Sequence, residues 1–218
     1  MYDLRFKTPF NAIVAGSSGS GKTILIYGLL RYRHEIFTSP PAKVFFFYSE
    51  MQDIYKNMIE EKIVDELIEG LPSVEELKEL VAPYKNAGGC VCVFDDSLDN
   101  ISDQISKMFT VISHHMNVSI ILVSQNVFYQ NKEYRTMSLN THYMFMMKSP
   151  RDNSQVVNIA KQISPYKVKH VIESFRFATR KPYSYLLIDT HASTPDHLRL
   201  RSNILKHEWP MIVYLEKP

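Results

Sequence analysis

Glycine is scarce in this chain, with seven among 218 residues, yet three of the seven stand within six positions of GSSGSGKT (16–23). Cysteine is scarcer still. Cys90 and Cys92 are the only two, which excludes a disulfide-stapled scaffold. They sit two apart on one expected strand, so their side chains point the same way and do not pair with each other. We read them as buried thiols of an intracellular protein; a metal site would need further ligands, and no histidine lies close by. No apolar run approaches the roughly 18 residues needed to span a bilayer. MYDLRFKTPF (1–10) holds no apolar signal-peptide core, so no membrane partner is expected. Repeats, low-complexity tracts and domain linkers are missing as well.

What is present is globular. Hydrophobic residues make up 45% and charged residues 22% of the chain, which excludes wholesale disorder. One domain over 1–218 is expected, with a core from about 10 to 190 and a C-terminal extension over 191–218. The formal net charge of +2 hides a segregation. Ser49 to Asp103 holds 14 acidic and 4 basic residues, whereas Asn131 to Lys206 holds 13 basic and 5 acidic. One end of the molecule is thus suited to a polyanion that the other repels. Scattered surface charge is the bland alternative.

Short apolar runs alternate with helical periodicity. FNAIVA (10–15), KVFFFYS (43–49), CVCVF (90–94), VSIILVS (118–124), HYMFMMK (142–148) and SYLLID (184–189) read as strands buried on both faces. Helices are expected over 23–37, 102–116, 152–163 and 168–179. An acidic helical stretch is expected from Asp53 to about Leu80, interrupted at Gly70-Leu71-Pro72. This alternation predicts an α/β fold, a mostly parallel central sheet with helices on both faces. Such sheets bind ligands beyond the carboxyl ends of their strands. The residues to inspect therefore follow each strand.

After the first strand comes Gly16-Ser17-Ser18-Gly19-Ser20-Gly21-Lys22-Thr23, a full match to GxxxxGK[ST]. Its glycines let backbone N–H groups turn inward around a phosphate, and the following helix adds the positive end of its dipole. Lys22 is placed to reach the β- and γ-phosphates of ATP, and the Thr23 hydroxyl to ligate Mg²⁺. After the third strand stand Asp95 and Asp96. Asp95 would hold the water shell of Mg²⁺, and Asp96 would accept a proton from the attacking water. The bland alternative is a turn or helix cap, since Ser97, Asp99 and Asn100 all form caps. After the fourth strand come Ser124-Gln125-Asn126, where an amide is placed to sense the γ-phosphate or to position water, against the alternative of an ordinary polar loop. Arg135 and Arg151 are candidate arginine fingers offered to a neighbouring subunit, against the alternative of ordinary surface ion pairs. Paired carboxylates favour water as the nucleophile. They disfavour a small-molecule kinase, and a nucleotide-binding scaffold without motor activity stays open.

GSSGSGKT, VFDD, ILVSQN and YRTMSLNTHYMFMMKSPRDNSQ together resemble poxvirus-type genome-packaging ATPases of the FtsK/HerA superfamily. IEGLPSVEEL (68–77) and PYSYLLIDTHASTPDHLRLRSNI (182–204) look most like the packaging ATPases of Polinton/Maverick-like and adintovirus-like elements. The resemblance covers roughly Asn11 to Ile204. It implies a RecA-like P-loop ATPase that forms a hexamer-like or pentamer-like ring, hydrolyses ATP between subunits, and threads double-stranded DNA into a capsid within an infected cell. DNA stimulation of hydrolysis is implied too. Lys22 and Thr23 match the family's phosphate loop, Asp95 and Asp96 its acidic motif, Gln125 its polar sensor and Arg135 its trans-acting arginine, with Arg151 in reserve. Much of the superfamily carries Glu where this chain has Asp96, a shorter reach to water. The basic last third would supply phosphate contacts without reading bases. His114-His115 read as helix-end residues, and Met144, Met146 and Met147 with Phe145 as strand packing. Tyr55, Tyr134, Tyr166 and Tyr183 read as packing residues in preference to base-stacking ones.

Overall fold

The computed structural model describes residues 2–95, 103–125, 132–149 and 154–216. The first strand, β1 (Asn11–Ala15), feeds through the glycine turn into α1 (Lys22–Arg31), which breaks at Tyr32 before the short α2 (Arg33–Ile36). Next come β2 (Lys43–Tyr48), α3 (Asp53–Glu60), β3 (Glu66–Glu69), α4 (Val74–Val81) and β4 (Cys90–Asp95). Helix α5 (Asp103–Lys107) continues through a π-helical segment (Met108–Ile112) into α6 (Ser113–His115) and then β5 (Val118–Ser124). The chain closes with α7 (Lys132–Leu139), β6 (Tyr143–Met147), α8 (Ser154–Ile163), α9 (Val168–Ala178), β7 (Tyr185–Asp189), β8 (Leu200–Ser202) and β9 (Ile212–Val213).

Among the described residues nine strands join one sheet in the order β3-β2-β4-β5-β1-β6-β7-β8-β9. The first six in that order run parallel, and β7, β8 and β9 continue antiparallel. The carboxyl ends of β1, β4 and β5 therefore lie on one rim of the sheet, side by side. Period-two alternation splits the core into two layers. Ile13, Phe45, Phe47, Cys92, Phe94 and Leu122 face α4, α5, α8 and α9 on one side. Val14, Phe46, Val93 and Val123 face α1 and α3 on the other. Cys90 and Cys92 are free, buried thiols on the same face, as their spacing requires; burial raises the Cys90 pKa to about 12.

Three elements go beyond the sequence reading. The acidic stretch from Asp53 to Leu80 is not continuous helix: Glu66–Glu69 forms an edge strand paired with β2. ELIE has a charge at each end and only half-buried Leu67 and Ile68 between, so it carries no apolar run to announce a strand. Lys132–Leu139, a segment to which the sequence reading assigned no element, is a helix, and among its described side chains Met137 is buried. Finally, the segment expected as a C-terminal extension over 191–218 carries β8 and β9, which lengthen the sheet.

Among the described residues the sheet order also sorts charge, placing the acidic stretch from Ser49 to Asp95 toward one edge and the bases of the last third toward the other. Not all of those bases face solvent. Arg201 on β8 is buried in an ion pair with Asp189 at the end of β7, and it donates to the Leu4 carbonyl at 3.0 Å. Asp189 is held further by the His191 N–H and the Thr194 hydroxyl, each at 3.0 Å. Arg199 pairs with Asp196 at 2.8 Å, and Lys167 with Glu216 at 2.5 Å. Of these three cations Arg201 alone is buried and withdrawn from a polyanion, whereas the pairs of Arg199 and Lys167 lie at the surface. The Asp189–Arg201 pair ties the antiparallel extension to the N-terminal segment, and a pair this buried is severely destabilising to break from one side.

Candidate active site

The glycine turn occupies the rim formed by the parallel strands. The Gly16 N–H donates to the Ser124 carbonyl at 3.2 Å, which locks the loop onto the end of β5. The Ser17 hydroxyl donates to the Lys148 carbonyl at 3.2 Å, and the Ser20 hydroxyl lies 3.8 Å from the Met147 sulfur, so β6 supports the other side. Crowding explains the glycine at 16: a Cβ there would lie 2.6 Å from the Ser20 Oγ and 2.7 Å from the Met147 Cβ. Gly21 caps α1 with φ of 96°, a left-handed conformation that favours glycine. Together these residues wrap the N-terminus of a ten-residue helix, where the helix dipole and the first N–H groups favour an anion.

Lys22 is folded back within the loop. Its Nζ donates to the carbonyls of Gly16 at 2.9 Å and Ser17 at 3.2 Å. Thr23 follows on α1, and its hydroxyl lies 3.4 Å from Asp95 Oδ2 across the sheet. Register explains the meeting. Cys90, Cys92 and Phe94 face one layer while Val91 and Val93 face the α1 layer, so the next residue in phase, Asp95, points at α1. A one-residue slip of β4 would turn its carboxylate away. Asp95 is buried, at 2% exposure, and a carboxylate in such a place needs strong partners. A threonine hydroxyl beside a buried carboxylate is a hard-oxygen pair of the kind Mg²⁺ takes. With the crowded Gly16 cradle next to it, this donor set fits a magnesium-bound triphosphate.

One participant was not singled out as a site residue from the sequence. The Tyr55 hydroxyl donates to the same Asp95 Oδ2 at 2.9 Å, and the tyrosine is buried on α3 with its ring against Phe46 and Tyr48. Its spacing from Met58 announced a buried face, but nothing local tied it to β4. Two hydroxyls converging on one oxygen fix the plane of the carboxylate. Tyr55→Phe is expected to keep the ring packing and lose about 1.5–3 kcal/mol of stability, the scale of a hydrogen bond to a charged group. Chemical denaturation would read this as a lower midpoint at unchanged slope.

Gln125 is exposed and directly follows Ser124, whose carbonyl holds the loop. Adjacency thus puts its backbone at the mouth of the site. Arg135 is exposed on α7, and among the described residues it makes no hydrogen bond or ion pair with the loop of its own chain. Asp96 and Arg151 lie outside the described residues. Among the described residues no cluster of three or more His, Cys, Asp or Glu side chains could hold a metal ion, His114 and His115 included.

Residues 2–199 match the model of the family described as poxvirus A32 protein. The DNA packaging protein OPG160 of variola virus is 31% identical over 136 residues, which cover 55% of this chain and 47% of that protein. For the OPG160 of monkeypox virus the identity is also 31%, and the match covers 42% of its length. The chain thus spans about half, or less, of the length of these relatives. Among solved structures, the genome packaging NTPase B204 from Sulfolobus turreted icosahedral virus 2, in complex with ATPγS, superposes with a TM-score of 0.58 at 16% identity. The superposition covers 85% of this chain and 95% of B204, and likeness of that kind shows the RecA-like P-loop NTPase fold. With a family match running from residue 2 to 199, the chain belongs to the poxvirus A32 protein family.

Proposed function

We propose that this chain is the ATPase domain of a viral DNA-packaging motor, hydrolysing ATP with Mg²⁺ in a ring of like subunits that drives double-stranded DNA into a capsid. The observation that carries the reading is the approach of Thr23 to Asp95 at 3.4 Å, at the end of a GxxxxGKT loop, in a member of this family. In the proposed mechanism the loop N–H groups and the α1 dipole bind the phosphate chain. Lys22 releases the Gly16 and Ser17 carbonyls and turns to the β- and γ-phosphates, and its charge balances theirs. Thr23 and Asp95 hold the metal, Tyr55 keeps the carboxylate in place, and the bound magnesium supplies charge neutralisation on the phosphates. Asp96 orients and deprotonates the attacking water, and Gln125 senses the terminal phosphate. Arg135 works on the site of the adjacent subunit. The exposed bases of the last third, Lys161, Lys169, Arg176, Arg180 and Lys181, provide contacts to the DNA backbone that do not depend on sequence.

The test is steady-state ATP hydrolysis with and without duplex DNA of unrelated sequences, on material whose oligomeric mass is measured in parallel. Turnover is expected to rise with DNA regardless of sequence, and the stimulation to fall steeply as salt increases. Equal turnover with and without DNA in an assembled sample would count against the motor reading.

A further inference from the structure

The phosphate loop accounts for the triphosphate half of a nucleotide and leaves the base to be placed. Strand order fixes the direction. Lys22, Thr23 and Asp95 set the terminal phosphate on the β4 side of β1. A nucleotide laid across the N-terminus of α1 then carries its base toward β6 and β7. At that point, just before β7, stands Tyr183. Its Cδ1 and Cβ lie 3.1 and 3.2 Å from where a Cβ on Gly21 would be, so the tyrosine packs directly on the residue that caps α1.

Two properties of Tyr183 are unusual for a packing residue. It is 71% exposed, and it holds a left-handed backbone with φ of 61°, a genuine outlier for a bulky side chain. Strain of this kind persists where the surroundings enforce it, and it concentrates at ligand sites. Here the turn is closed by the Ser184 hydroxyl donating to the Lys181 carbonyl at 2.6 Å. The helix supplies a second surface. Gly21, Ile24 and Gly28 lie three and four residues apart on one stripe of α1. Tyr183 covers Gly21, and Leu205 packs on Gly28 with its Cδ1 2.5 Å from where a Cβ would be. His207 stacks on Tyr32 farther down. Between these covered positions Ile24, which directly follows Thr23 and lies one turn beyond Gly21, is 61% exposed.

We infer that Tyr183 and Ile24 form the base subsite of the nucleotide site, the tyrosine ring stacking on a purine and the isoleucine packing against it. This rests on the nucleotide-binding reading above. A flat apolar ring meets an exposed aromatic face and a branched aliphatic side chain, both anchored to the helix that holds the phosphates. Stacking on an aromatic side chain is worth enough to set affinity while tolerating either purine.

Two probes separate the halves of the ligand: ATP, and inorganic tripolyphosphate, which has no base. Each is titrated by calorimetry with Mg²⁺ into the full chain, Tyr183→Ala and Tyr183→Trp. Tyr183→Ala is expected to weaken ATP about tenfold, the scale of one stacked base, and to leave tripolyphosphate unchanged. Tyr183→Trp is expected to retain ATP affinity. The inference is overturned if Tyr183→Ala binds ATP like the parent, or if ATP and tripolyphosphate weaken equally, since the ring would then only prop Gly21. It is overturned as well if the parent binds ATP no tighter than tripolyphosphate, a result that leaves the phosphate loop intact. Failure of the parent to bind either probe would instead remove the nucleotide reading itself.

Discussion

Lys22→Ala is expected to abolish ATP hydrolysis, by about 10³-fold or more, in a protein that still folds. The expectation follows from what the lysine touches. Its Nζ donates to the loop carbonyls of Gly16 and Ser17, and in the proposed site the same charge moves onto the phosphates. Removal of one preorganised donor from a developing charge costs about 10²–10³-fold in turnover, and a full positive charge on a triphosphate contributes more. The structural cost is read separately, as a lower melting temperature from the loss of hydrogen bonds between a charged group and the loop carbonyls. Calorimetric titration with ATP and a melting curve on the same sample separate the two effects. A variant with unimpaired turnover would remove Lys22 from the chemistry.

Arg135→Ala is expected to leave ATP affinity intact and to lower turnover by about 10³-fold, the scale of an arginine finger. The residue is exposed on α7, so its loss has little effect on folding, and among the described residues it makes no hydrogen bond or ion pair with the loop of its own chain. That arrangement suits a group offered to a neighbour. Mixing supplies the decisive version. Arg135→Ala and Asp96→Asn subunits, each inactive alone, should restore part of the activity when combined, because some interfaces then pair an intact arginine with an intact aspartate. Single-turnover hydrolysis on mixed rings of defined ratio reads this directly. Unchanged turnover in Arg135→Ala would pass the role to Arg151.

The contrast between what the sequence discloses and what it hides has a physical basis. Strands buried on both faces, such as CVCVF and VSIILVS, are legible because every position is apolar. The rule that ligands sit beyond strand ends then picks out the glycine loop, Asp95 and Gln125. The edge strand Glu66–Glu69 stays hidden because its identity comes from pairing with β2 and not from its own side chains. Arg201 carries the same letter as the exposed bases around it, and only the fold reveals that it faces Asp189 inside the protein. Tyr55 is 40 residues from Asp95 in the chain, and the bond between them is set by the packing of α3 on β2 and β4. Tyr183 is distinguished by its backbone angle and its neighbour Gly21, neither of which a single sequence displays.

The central claim is that Thr23 and Asp95 jointly hold the metal of a nucleotide bound to the glycine loop. It is tested most directly by titrating ATP into the parent chain and into Asp95→Asn, each with and without Mg²⁺. The amide is isosteric and can still accept from Tyr55 and Thr23, so the fold should survive. Magnesium is expected to tighten ATP binding by the parent and to do so about 10–100-fold less effectively for Asp95→Asn. A parent chain indifferent to magnesium, or an Asp95→Asn variant with the parent's full metal dependence, would contradict the account.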